Sequence, residues 1–388
     1  MGDYRQIAPV VIHGQMPDII NASPISSDLW NEFTIRTFSI NMRLQGIHHS
    51  HHHCNDDQQR RRANGDEYDY DDDEGLMGSS SCTADNNPNV DHDSVLLRSD
   101  RQTSAADQLR YAQMLLEIGE GGNCNYTQCD YLDDNPHDGS TILRLPLIQA
   151  ETDMKQALQF MYPTGFDPFS MHKSSILAGT NDTGDLWNQE VQALNPATAR
   201  EYLSADIFDE IDDPNGWISE MMTTEALNSF TRNGCPPHKL LLKVDDICII
   251  LRNINKRDGL TNNTRVRILH LDTFNIRVQT LDTVPPKCHV ICRIKFNFKI
   301  PFGNTFTMTR TQFPLRLAYC MSFNKAQGQE FDRVLADIRQ SPFSHGHLYV
   351  VASRIRNSKS IRMFCEESQI IEGFPFTTNV VYTALKLS

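Results

Sequence analysis

Apolar residues recur at helical spacing between residues 107 and 119. Leu109, Ala112 and Leu116 fall on one face, flanked by Met114, Leu115 and Ile118, so the segment predicts an amphipathic helix with Gly119 as its C-terminal cap. A second pattern follows at Ser175-Ile176-Leu177-Ala178-Gly179-Thr180-Asn181, a short apolar run ending in turn residues, which predicts a buried strand. From Asp182 to Leu194 the apolar positions Leu186, Trp187, Val191 and Leu194 return to helical intervals. Strand, turn and helix in this order form the repeating unit of open α/β sheets.

From Lys239 the period shortens. Residues 240–244, 247–251, 266–269 and 276–279 are short runs rich in Leu, Ile and Val, separated by Asp, Asn and Gly. That spacing predicts a small antiparallel β-barrel. The α/β character then returns with Leu315-Arg316-Leu317-Ala318-Tyr319-Cys320-Met321 and with the strand-like run Val334-Leu335-Ala336-Asp337-Ile338.

Composition changes this picture in one region. Between Gly46 and about Asp107 the chain carries five histidines at 48, 49 and 51–53, then Arg60 to Arg62, then Asp71-Asp72-Asp73-Glu74, with few apolar residues. Such a segment cannot bury enough surface to offset the entropy of ordering, and it is expected to be a disordered acidic insertion. The net charge of −13 is unevenly spread. Gly46 to Arg101 holds thirteen acidic and five basic residues, a net of −8, whereas Pro237 to Met363 holds twenty-one basic and eight acidic, a net of +13. A basic body can attract phosphates despite the acidic average. No run of eighteen apolar residues predicts a membrane span, and the N-terminus lacks the pattern of a secretory signal. The ten irregularly spaced cysteines then fit reduced thiols in an intracellular protein.

Two segments carry the candidate chemistry. Ser322-Phe323-Asn324-Lys325-Ala326-Gln327-Gly328-Gln329-Glu330-Phe331 leaves a predicted strand with a hydroxyl, an amide, a lysine and a glycine, a set suited to phosphate because glycine lets backbone approach closely. Residues 343–354, Phe-Ser-His-Gly-His-Leu-Tyr-Val-Val-Ala-Ser-Arg, predict a helix that carries Arg354 toward a cleft. Other groupings are weaker. Cys288 and Cys292 with His289 lack a second ligand pair for a metal site, and core thiols are expected there. His345 and His347 near Ser344 and Ser353 lack the turn that would build an oxyanion hole. No metal site is expected.

The pair 322–331 and 343–354 resembles motifs V and VI of the PIF/RecD-like superfamily 1 DNA helicases, and the order of segments is most similar to the helicases of Helitron transposons. Gly2-Asp3-Tyr4-Arg5-Gln6 resembles motif III, and Asn41-Met42-Arg43 lies in the stretch leading to motif IV. Leu203-Ser204-Ala205-Asp206, Pro236-Pro237-His238, Gly259-Leu260-Thr261-Asn262 and Gln312-Phe313-Pro314-Leu315 follow in family order. The resemblance implies an α/β fold of RecA-like helicase domains, the first of them truncated, with the β-barrel inserted into the second. Residues 1–45 would close the first domain, 46–107 would be the insertion, 108–200 and 314–388 would form the second domain, and 201–313 would be the inserted barrel.

The resemblance also implies roles. ATP with Mg²⁺ would bind between the RecA-like domains and drive 5′→3′ movement on single-stranded DNA and at duplex junctions. Gln6 would sense the γ-phosphate, and Arg43 and Arg354 would act as arginine fingers, since a rigid, permanently charged fork matches phosphate oxygens. Gln327, Gly328 and Glu330 would lie beside the nucleotide, and Thr180, Asn181, Ser322 and Lys325 beside DNA. Glu330 replaces the threonine usual in the family, either to accept a hydrogen bond from ribose or through drift. Asp246 replaces a usual glycine, which is expected only to alter a turn. Family roles in repair, recombination, telomere maintenance or transposition follow, with a nuclear or mitochondrial location.

No Gly-Lys dipeptide occurs in the sequence, so the phosphate-cradling Walker A loop and its lysine are missing, as are the Walker B carboxylates. Ile207-Phe208-Asp209-Glu210 imitates the latter but reads as a solvated loop. The expectation is a helicase fragment, preceded in its complete form by the missing segment and unable to hydrolyse ATP alone. The competing reading is a transposon-derived relic or a single-stranded-DNA-binding module.

Overall fold

The computed structural model describes residues 5–8, 15–23, 26–27, 104–121, 128–135, 140–208, 223–232, 234–281, 283, 285–302 and 304–385. Arg43, the histidine cluster, Asp209-Glu210 and nearly all of the expected insertion lie outside these residues.

A five-stranded parallel sheet forms the centre, ordered Cys320–Ser322, Ser174–Ala178, Arg333–Asp337, Ile361–Phe364 and Gln149–Glu151. Its strands alternate between two cores. Leu177, Val334, Ala336 and Met363 face a cluster built with Tyr111, Met114, Ile118, Leu348 and Val351, whereas Ile176, Ala178, Leu335 and Phe364 face one built with Ala157, Met161, Trp187 and Val191. Covering on both faces is why the central strands read as unbroken apolar runs. The helix Ala105–Glu120 starts two residues before the expected position, capped by the Ser104 hydroxyl, which accepts a hydrogen bond from the Asp107 N–H. Gly121, not Gly119, ends it in the left-handed conformation at φ 65°. Gly119 is buried within the helix, where an added Cβ would lie 2.6 Å from Cδ of Arg5.

Between the second and third sheet strands in chain order, residues 200–317 form a separate antiparallel region. Its main sheet runs Cys288–Cys292, Asn275–Thr280, Arg265–Leu271, Ile247–Ile250 and Leu315–Leu317. A two-stranded ladder of Arg200–Leu203 with Lys239–Leu242 packs on the same core, and among the described residues the two edge strands of the main sheet do not pair with one another. Cys288 and Cys292 lie exposed on its free edge rather than in the core. A hairpin of Ile294–Phe302 and Asn304–Gln312 carries Ala205–Phe208 as a third strand, so Ile207-Phe208 belongs to a sheet and not to the expected loop.

Two buried polar groups hold this region in place. Arg310 is fully buried and meets Asp206 through a two-pronged ion pair, Nε to Oδ1 at 2.9 Å and Nη2 to Oδ2 at 2.7 Å. Asp246 does more than alter a turn. Fully buried, it accepts hydrogen bonds from Gln192, from Asn195 Nδ2 at 2.9 Å, from the Lys243 N–H at 2.8 Å and from the Tyr319 hydroxyl at 3.0 Å. It thereby ties the end of the helix Asn181–Ala193 to the antiparallel region. Burial pushes its carboxyl above the usual carboxylate range, against the lowering effect of those hydrogen bonds.

Candidate functional site

The parallel strands Ser174–Ala178 and Cys320–Ser322 are neighbours in register, Ser322 opposite Ala178, so their C-terminal exits open side by side. This edge of an open α/β sheet is where ligands bind. The first exit becomes the helix Asn181–Ala193, whose N-cap Thr180 accepts a hydrogen bond from the Thr183 N–H at 3.4 Å. The second becomes a tight turn in which the Lys325 N–H donates to the Ser322 carbonyl at 3.0 Å. Thr180, Asn181, Ser322 and Lys325, assigned above to DNA, therefore line one shallow cleft that opens to solvent.

Two further side chains enter this cleft. Arg316 donates to Asp185, with Nε at 3.3 Å from Oδ1 and Nη2 at 2.5 Å from Oδ2. Neither residue stood out in the sequence; the only sign was a charge alternating with Leu315 and Leu317. Burial, and then the Arg316 charge, lower the Lys325 ammonium below its ordinary range, with Asp185 opposing. A helix N-terminus beside two cations favours phosphate oxygens.

The same turn continues into a second site. Gln327 is exposed, and its Nε2 donates to Oε1 of Gln6 at 2.9 Å across 321 residues of sequence. Gly328 follows in the left-handed region at φ 82°, and no atom lies within 4 Å of a Cβ added there. Beneath them, Arg354 is 3% exposed. Its Nη1 donates to the carbonyls of Ala326 at 3.2 Å and Gln329 at 3.0 Å, its Nε to Val350 at 2.7 Å, and its Nη2 to the Ser353 hydroxyl at 2.7 Å. The helix expected to carry this arginine outward is His347–Ala352 only, and the guanidinium turns inward. In the structure Arg354 clamps the turn from below rather than reaching into an open cleft. Glu330 is ion-paired with Arg356 on the exposed side of the turn.

Gln6 is delivered by a docked segment. Arg5 pairs with Glu120, and Ile7 packs on the first core cluster. Gly346, at φ 74°, lets this segment pass, since an added Cβ would stand 2.6 Å from both the Arg5 carbonyl oxygen and the Gln6 carbonyl carbon. Of the residues expected at the nucleotide, Gln6, Gln327 and Arg354 thus belong to one contact network. Among the described residues no group of three or more His, Cys, Asp or Glu side chains is arranged to hold a metal ion.

His347 braces the turn. Its Nε2 lies 3.1 Å from Oδ1 of Asn324, and its buried Nδ1 has no hydrogen-bond partner. Burial, and then neighbouring His345, lower its pKa from 6.5 to about 4. Because the folded pKa lies below the unfolded one, the contribution to stability is complete above pH 6.5. It falls away as pH drops toward about 4, reaching roughly 3 kcal/mol at 1.36 kcal/mol per pH unit. His347→Gln, which keeps a donor for Asn324, should flatten the acid limb of a pH series of urea melts; an unchanged limb would place the acid sensitivity elsewhere. His345 is also structural, its Nδ1 accepting from the Tyr382 N–H at 2.9 Å.

Two family models match the chain. The PIF1-like helicase model matches residues 1–61, and the model of the 2B domain of the DNA helicase Pif1 matches residues 225–271, inside the antiparallel region. The ATP-dependent DNA helicase PIF1 of Danio rerio is 28% identical over 139 residues, covering 36% of this chain and 21% of the relative. The Xenopus laevis protein of the same name is 25% identical over 159 residues, covering 41% and 24%. The chain thus spans under a quarter of the length of these two relatives. Among solved structures, that of Pif1 helicase from Candida albicans is 18% identical with a TM-score of 0.49, covering 94% of this chain and 63% of the other. Bacteroides Pif1 bound to single-stranded DNA is 17% identical with a TM-score of 0.42, covering 70% and 52%. Over these parts of its length the chain is therefore similar to PIF1-type helicases.

Proposed function

We propose that the chain is the DNA-gripping and nucleotide-sensing part of an ATP-dependent DNA helicase that moves 5′→3′ along one strand. The observation that carries this reading is the turn Ser322–Gly328, which serves both sites. Lys325 faces the cleft, and two residues on Gln327 holds Gln6 above Arg354. A change of contact at Gln6 would therefore be felt two residues away by a cation on the DNA side. On this reading 108–200 and 314–388 act as one RecA-like domain, 201–313 as its insert, and the protein works in the nucleus at single strands and duplex junctions, as Helitron-type helicases would.

The seam offers amide groups and an unhindered Gly328 backbone to a phosphate edge, which fits one side of ATP. It does not fit Mg²⁺, for which the described residues gather no ligands. ATP supplies the free energy of phosphoryl transfer. The residues of this chain would sense the terminal phosphate through Gln6, keep the turn in shape through Arg354, and hold the strand through Thr180, Asn181, Ser322 and Lys325. Glu330, paired with Arg356, is free for ribose only if that exposed pair opens.

Binding of a fluorescent oligo-dT across a salt series tests the cleft. Lys325→Ala should weaken binding and reduce the slope of log affinity against log salt by about 0.7, one counterion's worth for a single strand. Asp185→Asn should strengthen binding, because Arg316 then meets phosphate without a competing carboxylate. Equal affinities for all three proteins would refute the assignment. A second reading, a strand-binding module without turnover, is favoured by the missing Gly-Lys dipeptide. ATP hydrolysis by the pure chain would count against that second reading.

A further inference from the structure

The cleft described above is a site for phosphates, yet an apolar ring stands at its lip. Phe343 is 64% exposed. Among the described residues two other phenylalanines are comparably exposed, and both have different surroundings. Phe169 lies under the Arg267 guanidinium, 4.2 Å from its ring centroid, and Phe274 occupies the turn between two strands of the antiparallel sheet. Phe343 instead borders the two exits that build the cleft. On one side a Cβ added to Gly179 would lie 3.8 Å from its Cε1, and Gly179 directly precedes Thr180. On the other side its ring meets the edge of His347 at 5.0 Å and 82°, and His347 reaches Asn324, the neighbour of Lys325. The ring is therefore fixed in place by contacts at its margin while most of its surface faces solvent.

We infer that Phe343 is a stacking platform for one base of the strand whose phosphates lie in the Thr180–Lys325 cleft. This rests on the DNA reading of that cleft and adds a contact of different chemistry. Phosphate contacts are ionic and sequence-blind, whereas a base on an aromatic ring is held by π-stacking, which tolerates every base and does not release counterions. A solvent-exposed ring beside a cationic groove has the combination that non-specific single-strand binding uses.

The test uses the full chain, with fluorescent oligo-dT and an abasic deoxyribose-phosphate strand of equal length, titrated at several salt concentrations. Phe343→Ala should weaken oligo-dT binding by about 5- to 150-fold with an unchanged salt slope, and should leave the abasic strand unaffected. Phe343→Leu, which keeps apolar bulk without a π face, should lose most of the same factor. Phe343→Trp should retain affinity and show indole quenching by oligo-dT beyond that of the parent. Wild-type affinity in Phe343→Ala, or an equal loss on the abasic strand, would overturn the inference while leaving the phosphate cleft standing. Insensitivity of oligo-dT binding to Lys325→Ala would instead remove the cleft reading and the platform with it.

Discussion

Arg354→Ala, placed in a fusion that supplies a phosphate-binding first domain ahead of Met1, should lower DNA-stimulated ATP turnover by about 10²-fold, the scale of a positioning group displaced by about an ångström. The structure gives this loss a local cause. The guanidinium spans the turn that carries Gln327 and Gly328, holding the Ala326 and Gln329 carbonyls together and anchoring both to Val350. Alanine removes the guanidinium from all three carbonyls, of which Ala326 keeps the Gln329 N–H and Val350 keeps the Ser353 hydroxyl, and it frees the turn to shift away from Gln6. Lysine should rescue little, because an ammonium cannot reproduce a fork that serves four acceptors in fixed directions. A thermal melt of the same variants separates the two effects. If Arg354 acts through the turn, oligo-dT binding at Lys325 should also weaken in protein that remains folded. Near-normal turnover in Arg354→Ala would remove the residue from the nucleotide site.

The largest expected effect on stability lies in the antiparallel region. Arg310→Met should cost about 3–5 kcal/mol, since it strands the Asp206 carboxylate with its side chain fully buried. Four carbonyls, of Leu227, Asn228, Phe230 and Pro236, lose the guanidinium at the same time, Leu227 keeping the Phe230 N–H. A buried carboxylate that keeps only the Ser204 hydroxyl and His238 beside it, without its guanidinium, is what makes the single change severe. Removing both charges in Arg310→Met with Asp206→Leu should therefore recover a large part of the loss. Urea unfolding followed by circular dichroism reads both variants. A loss below about 1 kcal/mol in the single variant would show that water reaches Asp206.

The sequence made the parallel-sheet elements legible because burial on both faces produces unbroken apolar runs, as at 174–178 and 333–337. Short antiparallel strands were legible as brief Leu-, Ile- and Val-rich runs cut by Asp, Asn and Gly turns. Edge position was not, since period reports which face is buried and nothing about edge pairing; hence exposed Cys288 and Cys292 where core thiols were expected. Buried polar groups were equally hidden. Asp246, Arg310 and Asp206 look like surface residues in any pattern, and only their partners, dozens of residues away, show otherwise. Gly119 and Gly121 illustrate a finer limit, because either could end the helix and only the docking of Arg5 assigns their roles. Of the candidate site, the cleft quartet came from resemblance and lines one cleft, whereas Asp185, Arg316 and Phe343 join it only through the fold. Arg43 lies outside the described residues.

The account turns on Gln6 and Gln327 acting as one unit at the seam between a nucleotide and the strand. A double-mutant cycle on DNA-stimulated ATP turnover in the fusion, with Gln6→Ala, Gln327→Ala and both together, measures this directly. The account predicts strong coupling, the pair losing little more than the worse single variant. Losses that simply multiply would mean that the two amides serve separate places, and the shared seam would be wrong.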